Sequence, residues 1–164
     1  MSSTLRLTYW HLLALLVFAS DQAIKSLVDL NTPEGWTHRV TGFFNLVHVL
    51  NPGAAFSFLA DAGGWQRWFF LAIAVAASAW LTWTLSAPRG TTEALSFSLI
   101  LGGALGNALD RAVRGQVVDY LDFHLGGWHW PAFNLADVAI VAGAVLMVVT
   151  SFLPRGRSTT RSAQ

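Results

Sequence analysis

Apolar and polar positions fall into long blocks along this chain. Residues 9–30, 68–87, 91–110 and 133–153 are apolar runs of about 20 residues, the length a helix needs to cross a bilayer. The first run is densest over residues 12–19 and then admits Asp21 and Lys25, four apart and therefore on one helical face. The second carries Trp80 and Trp83 toward its far end and closes at the turn Pro88-Arg89-Gly90. The third contains Gly102-x-x-x-Gly106, a spacing that lets another helix approach closely. Arg6, a short apolar run and Ala19-Ser20 also fit a cleavable signal peptide, so the first run has two readings.

Residues 31–66 follow a different pattern. Pro33, Gly35, Gly42, Pro52, Gly53, Gly63 and Gly64 punctuate them. Between these lies FFNLVHVL, residues 43–50, whose β-branched and aromatic residues at a period near two predict a strand. FSFLA, residues 56–60, is a second candidate strand. Trp36, Trp65 and Trp68 suit the headgroup zone. The expected fold is an all-α membrane protein of four transmembrane helices with a small extracytoplasmic β-rich layer. It is expected to form one domain over residues 1–164, ending in a basic, polar tail at 154–164.

Composition sharpens this. The chain is 54% hydrophobic and 12% charged, where a soluble domain has about 25% charged residues. With no cysteine, thiol catalysis, Cys-ligated zinc and disulfides are excluded. The net charge of +1 and the lack of a basic run give no reason to expect nucleic acid. Four spans put both termini on one side, with Arg6, Arg89, Arg155, Arg157 and Arg161; Arg39, Arg67 and Arg114 fall on the other. The positive-inside rule then favours cytoplasmic termini, which places the 31–66 layer and the 119–137 stretch outside.

Antiparallel third and fourth spans bring Asp119 and Asp137 to one face of the bilayer. Two close carboxylates cannot both ionise cheaply, so they share a proton near neutral pH. The ionised member can take a proton from attacking water, and the protonated member can donate to a peptide carbonyl. Each acid also has a plainer reading. Asn134 and Asp137 form the pattern of a helix capping box. Asp110 and Arg111 read as a structural ion pair, and Asp122 as a solvated loop carboxylate. Other chemistries remain open: a metal site on His124 and His129, although no H-E-x-x-H is present; a Ser–Lys hydrolase using Lys25, the only lysine, with Ser20 or Ser26; or a small transporter or proton-conducting subunit relaying through Asp110 and Arg111.

Five ordered motifs bear on that choice: D-Q-x-x-K at 21–25, N-x-G-A-A-F at 51–56, G-G-A-L-G-N-x-x-D-R at 102–111, V-V-D at 117–119 and F-N-x-A-D at 133–137. With them the chain resembles the bacterial lipoprotein signal peptidases, or type II signal peptidases, over nearly its whole length. The resemblance implies a four-helix inner-membrane aspartic endopeptidase with both termini cytoplasmic and its site at the extracytoplasmic side. Such an enzyme cuts a prolipoprotein just before a diacylglyceryl-modified cysteine. Asp119 and Asp137 would be the catalytic pair, and the first helix a retained anchor. Asp21, Asn51, Asn107, Arg111 and Asn134 match polar residues around the pair, and Lys25 and Gly53 fall within the same motifs. Gly53 would let the 51–56 loop approach the substrate backbone. The expected partners are modified prolipoproteins and membrane lipid; no cofactor or metal is expected, and the chain is expected to act as a monomer.

Overall fold

The computed structural model describes residues 3–53 and 63–152. The second candidate strand at 56–60, the 54–56 half of the 51–56 loop and the 154–164 tail lie outside them. Four helices and a small sheet are present: α1 (Ser3–Asn31), β1 (Thr37–Arg39), β2 (Phe44–Asn51), α2 (Trp65–Leu85), α3 (Thr91–Val113), β3 (Val117–Leu125), β4 (Trp128–His129) and α4 (Leu135–Phe152).

Among the described residues, three helices are long and apolar enough to cross a bilayer: Leu7–Asn31, Trp65–Leu85 and Leu135–Phe152. The expected fourth, α3, is long enough but less apolar, and its place in the bundle explains why. It packs against α1, α2 and α4, which touch one another far less. A helix shielded by its neighbours can carry Ser96, Ser98, Asn107, Asp110 and Arg111, all buried. The outer three instead turn Leu15, Leu16, Ile73, Trp83, Val141 and Val148 outward, as surfaces wetted by hydrocarbon do.

Glycine makes the central packing possible. A Cβ at Gly102 would sit 2.6 Å from the Ala14 carbonyl oxygen and 2.7 Å from the Val17 side chain on α1. One at Gly106 would strike the Asp21 carboxylate, and one at Gly103 the Ala136 carbonyl on α4. The Gly102-x-x-x-Gly106 spacing therefore serves packing within this chain. Far from the sheet, Trp10, Ala14, Leu81, Leu85, Ala94, Phe97 and Leu101 close an apolar cluster among α1, α2 and α3.

The sheet is antiparallel in the order β1-β2-β3-β4, with an irregularity between Leu46 and Val49. β2 matches the expected strand. β3 and β4 correct the expectation that the stretch before α4 is a loop, because half the sheet comes from there. Val49 pairs with Asp119 and Asn51 with Val117, so the two strands bring Asn51 beside Asp119. The sheet ends of α1 and α3 run toward this layer, and α2 and α4 leave from it. α1 is built into the bundle through Asp21 and Lys25, both fully buried.

Candidate active site

Asp119 sits on β3, 2% exposed. Asn51 Nδ2 donates to its Oδ2 at 3.0 Å, and Asn134 Nδ2 to its Oδ1 at 2.6 Å. Asp137 sits in the first turn of α4, where its Oδ1 accepts from Asn107 Nδ2 at 2.8 Å and its Oδ2 from the Asn134 backbone N–H at 3.2 Å. The Asp137 N–H donates in return to Asn134 Oδ1 at 3.0 Å. The capping box is therefore present, and it is also part of the site: Asn134 binds one aspartate with its amide group and the other with its backbone. Burial, then the neighbouring charge of Asp137, pushes the Asp119 carboxyl up to about 7, against the opposing pull of Asn51, Asn134 and Lys25.

Both aspartates line a cavity of about 590 Å³, together with Asn51, Asn107 and Arg111. From this polar end the wall continues along α4 through Val138, Val141 and Val145, with Trp130 and Phe133 on the sheet side. The α4 residues recur at helical spacing and are partly exposed to the outside of the bundle. The cavity is thus polar at the sheet and apolar beside the helix.

Arg111 reaches this cavity from α3. Its Nη2 donates to the Gly53 carbonyl at 2.7 Å and its Nη1 to the Asn107 carbonyl at 3.2 Å, with the guanidinium over the Phe70 ring. Asn51 Oδ1 accepts from the Gly53 N–H at 2.9 Å. Gly53 is thus held on both sides, by Asn51 and Arg111, where the chain leaves β2.

The proposed Asp110–Arg111 ion pair is not what forms. Asp110 pairs with Lys25 at 2.9 Å and with Arg114 at 2.6 Å. Adjacent helix residues do not face each other, whereas residues four apart do. Asp21 and Lys25 do not line the cavity. They lie behind it, with Lys25 Nζ 2.9 Å from Asp21 Oδ2 and 2.8 Å from Asn107 Oδ1. Asp21 Oδ1 accepts the Ala136 N–H at 2.9 Å, tying α1 to the start of α4.

Sequence reasoning passed over Gln22, Arg114 and Tyr120. Gln22 Nε2 donates to the Gly106 carbonyl and to Asp110 Oδ1. The Tyr120 hydroxyl oxygen accepts the Leu135 N–H at 3.1 Å, and burial pushes its pKa up to about 12. The four-residue spacing of Asp110 and Arg114 was the available signal.

Asp122 is not a solvated loop acid. It lies on β3, where Asn45 Nδ2 donates to it at 2.7 Å and His129 Nδ1 at 2.9 Å. Burial raises its pKa, but these two hydrogen bonds and the charges of His129 and His124 outweigh that and hold it below the ordinary range. His124 and His129 stack across β3 and β4; among the described residues no three His, Asp or Glu side chains converge as a ligand set. Asp122→Asn is expected to leave cleavage near wild type while weakening the sheet by about 1 kcal/mol, read by turnover and thermal unfolding. A dead Asp122→Asn enzyme would reassign the catalytic pair.

Comparison with known proteins gives the family. A family model described as signal peptidase (SPase) II matches residues 13–153. The chain belongs to the signal peptidase II family. It is a protease, and a multi-pass membrane protein. The peptidase is 54% identical over 143 residues to a lipoprotein signal peptidase of Cupriavidus taiwanensis, covering 85% of this chain and 80% of that one. It is 54% identical over 144 residues to one of Serratia marcescens, covering 88% and 85%. A solved structure titled as a bacterial membrane enzyme superposes on the peptidase with a TM-score of 0.81 at 26% identity, over 96% of this chain and 95% of that one.

Proposed function

We propose that this peptidase is an aspartic endopeptidase that removes signal peptides from lipoprotein precursors, cutting before a diacylglyceryl-modified cysteine, with Asp119 and Asp137 as the catalytic pair. The observation that carries the reading is the double attachment of Asn134, which holds both carboxylates at the polar end of one cavity. In the proposed reaction the pair holds one proton near neutral pH. Its ionised carboxylate takes a proton from water as the oxygen attacks the scissile carbonyl, and its protonated carboxyl donates to the carbonyl oxygen. The proton gained from water then passes to the leaving amine as the C–N bond breaks, and a hydroxyl of the tetrahedral intermediate returns its proton to the other carboxylate, so the pair again holds one proton. The proton belongs to the pair through the cycle.

Arg111 and Asn51 support the substrate side of this mechanism. Arg111, itself in the cavity wall, holds the Gly53 carbonyl, so the start of the 51–56 loop is fixed next to a residue that can meet a substrate backbone. The apolar α4 wall suits a lipid-bearing helix that arrives within the bilayer. For this the chain is placed in the bacterial inner membrane as one domain. α3 serves as a fourth span; its 23 residues extend about 35 Å, against a hydrocarbon core of about 30 Å. Both termini are then cytoplasmic and the sheet and dyad extracytoplasmic. In this reading the chain acts as a monomer.

The transporter alternative is not favoured by family membership. The buried acids, Lys25 and Arg111 also gather near the sheet, whereas a relay needs them through the full depth. The test is purified protein incubated with a precursor carrying the diacylglyceryl group and with the same precursor unmodified. Cleavage of the first alone, before the modified cysteine, is expected. Equal cleavage of both would remove the lipid from the proposed specificity, and flux in liposomes without proteolysis would restore the transporter.

A further inference from the structure

We propose that Lys25 is a positioning residue for the catalytic pair, acting through the side-chain amide of Asn107 on Asp137. This rests on the aspartic reading above. Lys25 is fully buried, and its ammonium meets three acceptors: Asp21 Oδ2, Asp110 Oδ2 and Asn107 Oδ1. An ammonium has three N–H donors and no acceptor, so this set uses its whole capacity. A structural ion cluster would be served by the two carboxylates alone. The third bond goes instead to a neutral amide that lines the cavity.

That bond dictates which way the amide faces. Lys25 can only donate, so Asn107 must present Oδ1 to it. Nδ2 is then turned to Asp137 Oδ1 at 2.8 Å. The flipped amide would set N–H against ammonium and oxygen against carboxylate, losing two hydrogen bonds and adding two repulsions. Lys25 thus keeps a donor aimed at Asp137, although it does not line the cavity itself. The arrangement leaves Asp137 Oδ1 as an acceptor and orients the carboxyl toward the reacting centre.

The charged and titratable groups around the pair are Lys25 and Asp21 from α1, Asp110 and Arg111 from α3, and Tyr120 from β3. Removing Lys25 alone would leave Asp21 and Asp110 facing each other without their shared cation. The informative variant therefore replaces a pair, Lys25→Met with Asp21→Asn, which preserves net charge and leaves Asp110 its Arg114 partner. In this variant the lysine no longer orients Asn107. Lost hydrogen bonding to an ionised carboxylate favours its protonation, so the acidic limb of the pH–rate profile moves to higher pH. Turnover falls by about 10²-fold, the scale on which small misplacements of catalytic groups are felt, while KM stays close to wild type.

Asn107→Leu leaves Lys25 both carboxylates and keeps the proposal testable where the paired variant does not fold. It is expected to reproduce the same fall in kcat and the same shift of the acidic limb. Combining the two changes is expected to give no more than either alone, since they break one link. The assay is cleavage of a diacylglyceryl-modified precursor across pH, with thermal unfolding as the check on folding. Wild-type kcat and pH limb in a folded paired variant, or in Asn107→Leu, would overturn the relay, as would effects that add. If Asp119→Asn and Asp137→Asn are dead in the same assay, such a result removes the relay alone. If those two cleave normally, the aspartic mechanism falls and the relay with it.

Discussion

Asp119→Asn and Asp137→Asn each lose cleavage of a modified precursor, by at least the about 10²–10⁴-fold that one positioned acid or base contributes, while the protein still folds. Asparagine keeps the shape of the side chain and one acceptor oxygen. At 137 that oxygen can still take the Asn134 N–H that caps α4, so helix and bundle persist. At 119 it can still take one of the two amide donors from Asn51 and Asn134. Neither variant can form a carboxylate pair holding a transferable proton. Single-turnover cleavage by purified variants, beside their unfolding curves, separates lost chemistry from lost structure. Full activity in either variant would defeat the proposed mechanism.

The same pair makes stability depend on pH in an unusual direction. The Asp119 carboxyl titrates at about 7 in the folded chain, against 3.8 as its ordinary value. Between those values the native state binds more protons than the unfolded one, so stability falls as pH rises through the window. The loss is complete above about pH 7 and amounts to up to about 4 kcal/mol. Asp122, held below the ordinary range, works oppositely and only in acid: its contribution is present above its unfolded value and is lost as pH drops below it. Tyr120, at about 12, does not titrate between these limits. Thermal unfolding of the detergent-solubilised protein is therefore expected to weaken from about pH 5 to pH 8, and Asp119→Asn to flatten that slope. A wild-type midpoint that climbs over the same range would refute the burial argument for Asp119.

Much of this was legible in the chain. The apolar blocks marked the helices because lipid-facing helices must be apolar on their outer sides. Asp119 and Asp137 line one cavity because antiparallel α3 and α4 bring β3 and the start of α4 to the same end of the bundle, although a sheet hairpin and not a short loop connects them. β3 was missed because Val117–Leu125 mixes acids with apolar residues in a stretch that read as a connection. Its alternation was short and its partner, β2, lies far away in sequence. Asp110 pairs with Arg114 and not with Arg111, because on a helix residues four apart share a face and adjacent ones do not. Asn134 was weighed as a helix cap or as a site residue, while the fold uses its backbone for one role and its side chain for both.

The crowding of α3 by three neighbours also bears on how the chain is made. Its polar residues suit it poorly to partition into lipid before its companions have arrived, and Lys25, paired with Asp21 inside α1, gains Asp110 and Asn107 only once α3 is in place. During synthesis this ammonium therefore waits in the first hairpin with Asp21 as its one acceptor of the three until the third helix emerges. A nascent chain stalled before that point displays a half-satisfied ion pair to the membrane, the kind of flaw by which quality-control proteases can distinguish orphaned segments from finished protein.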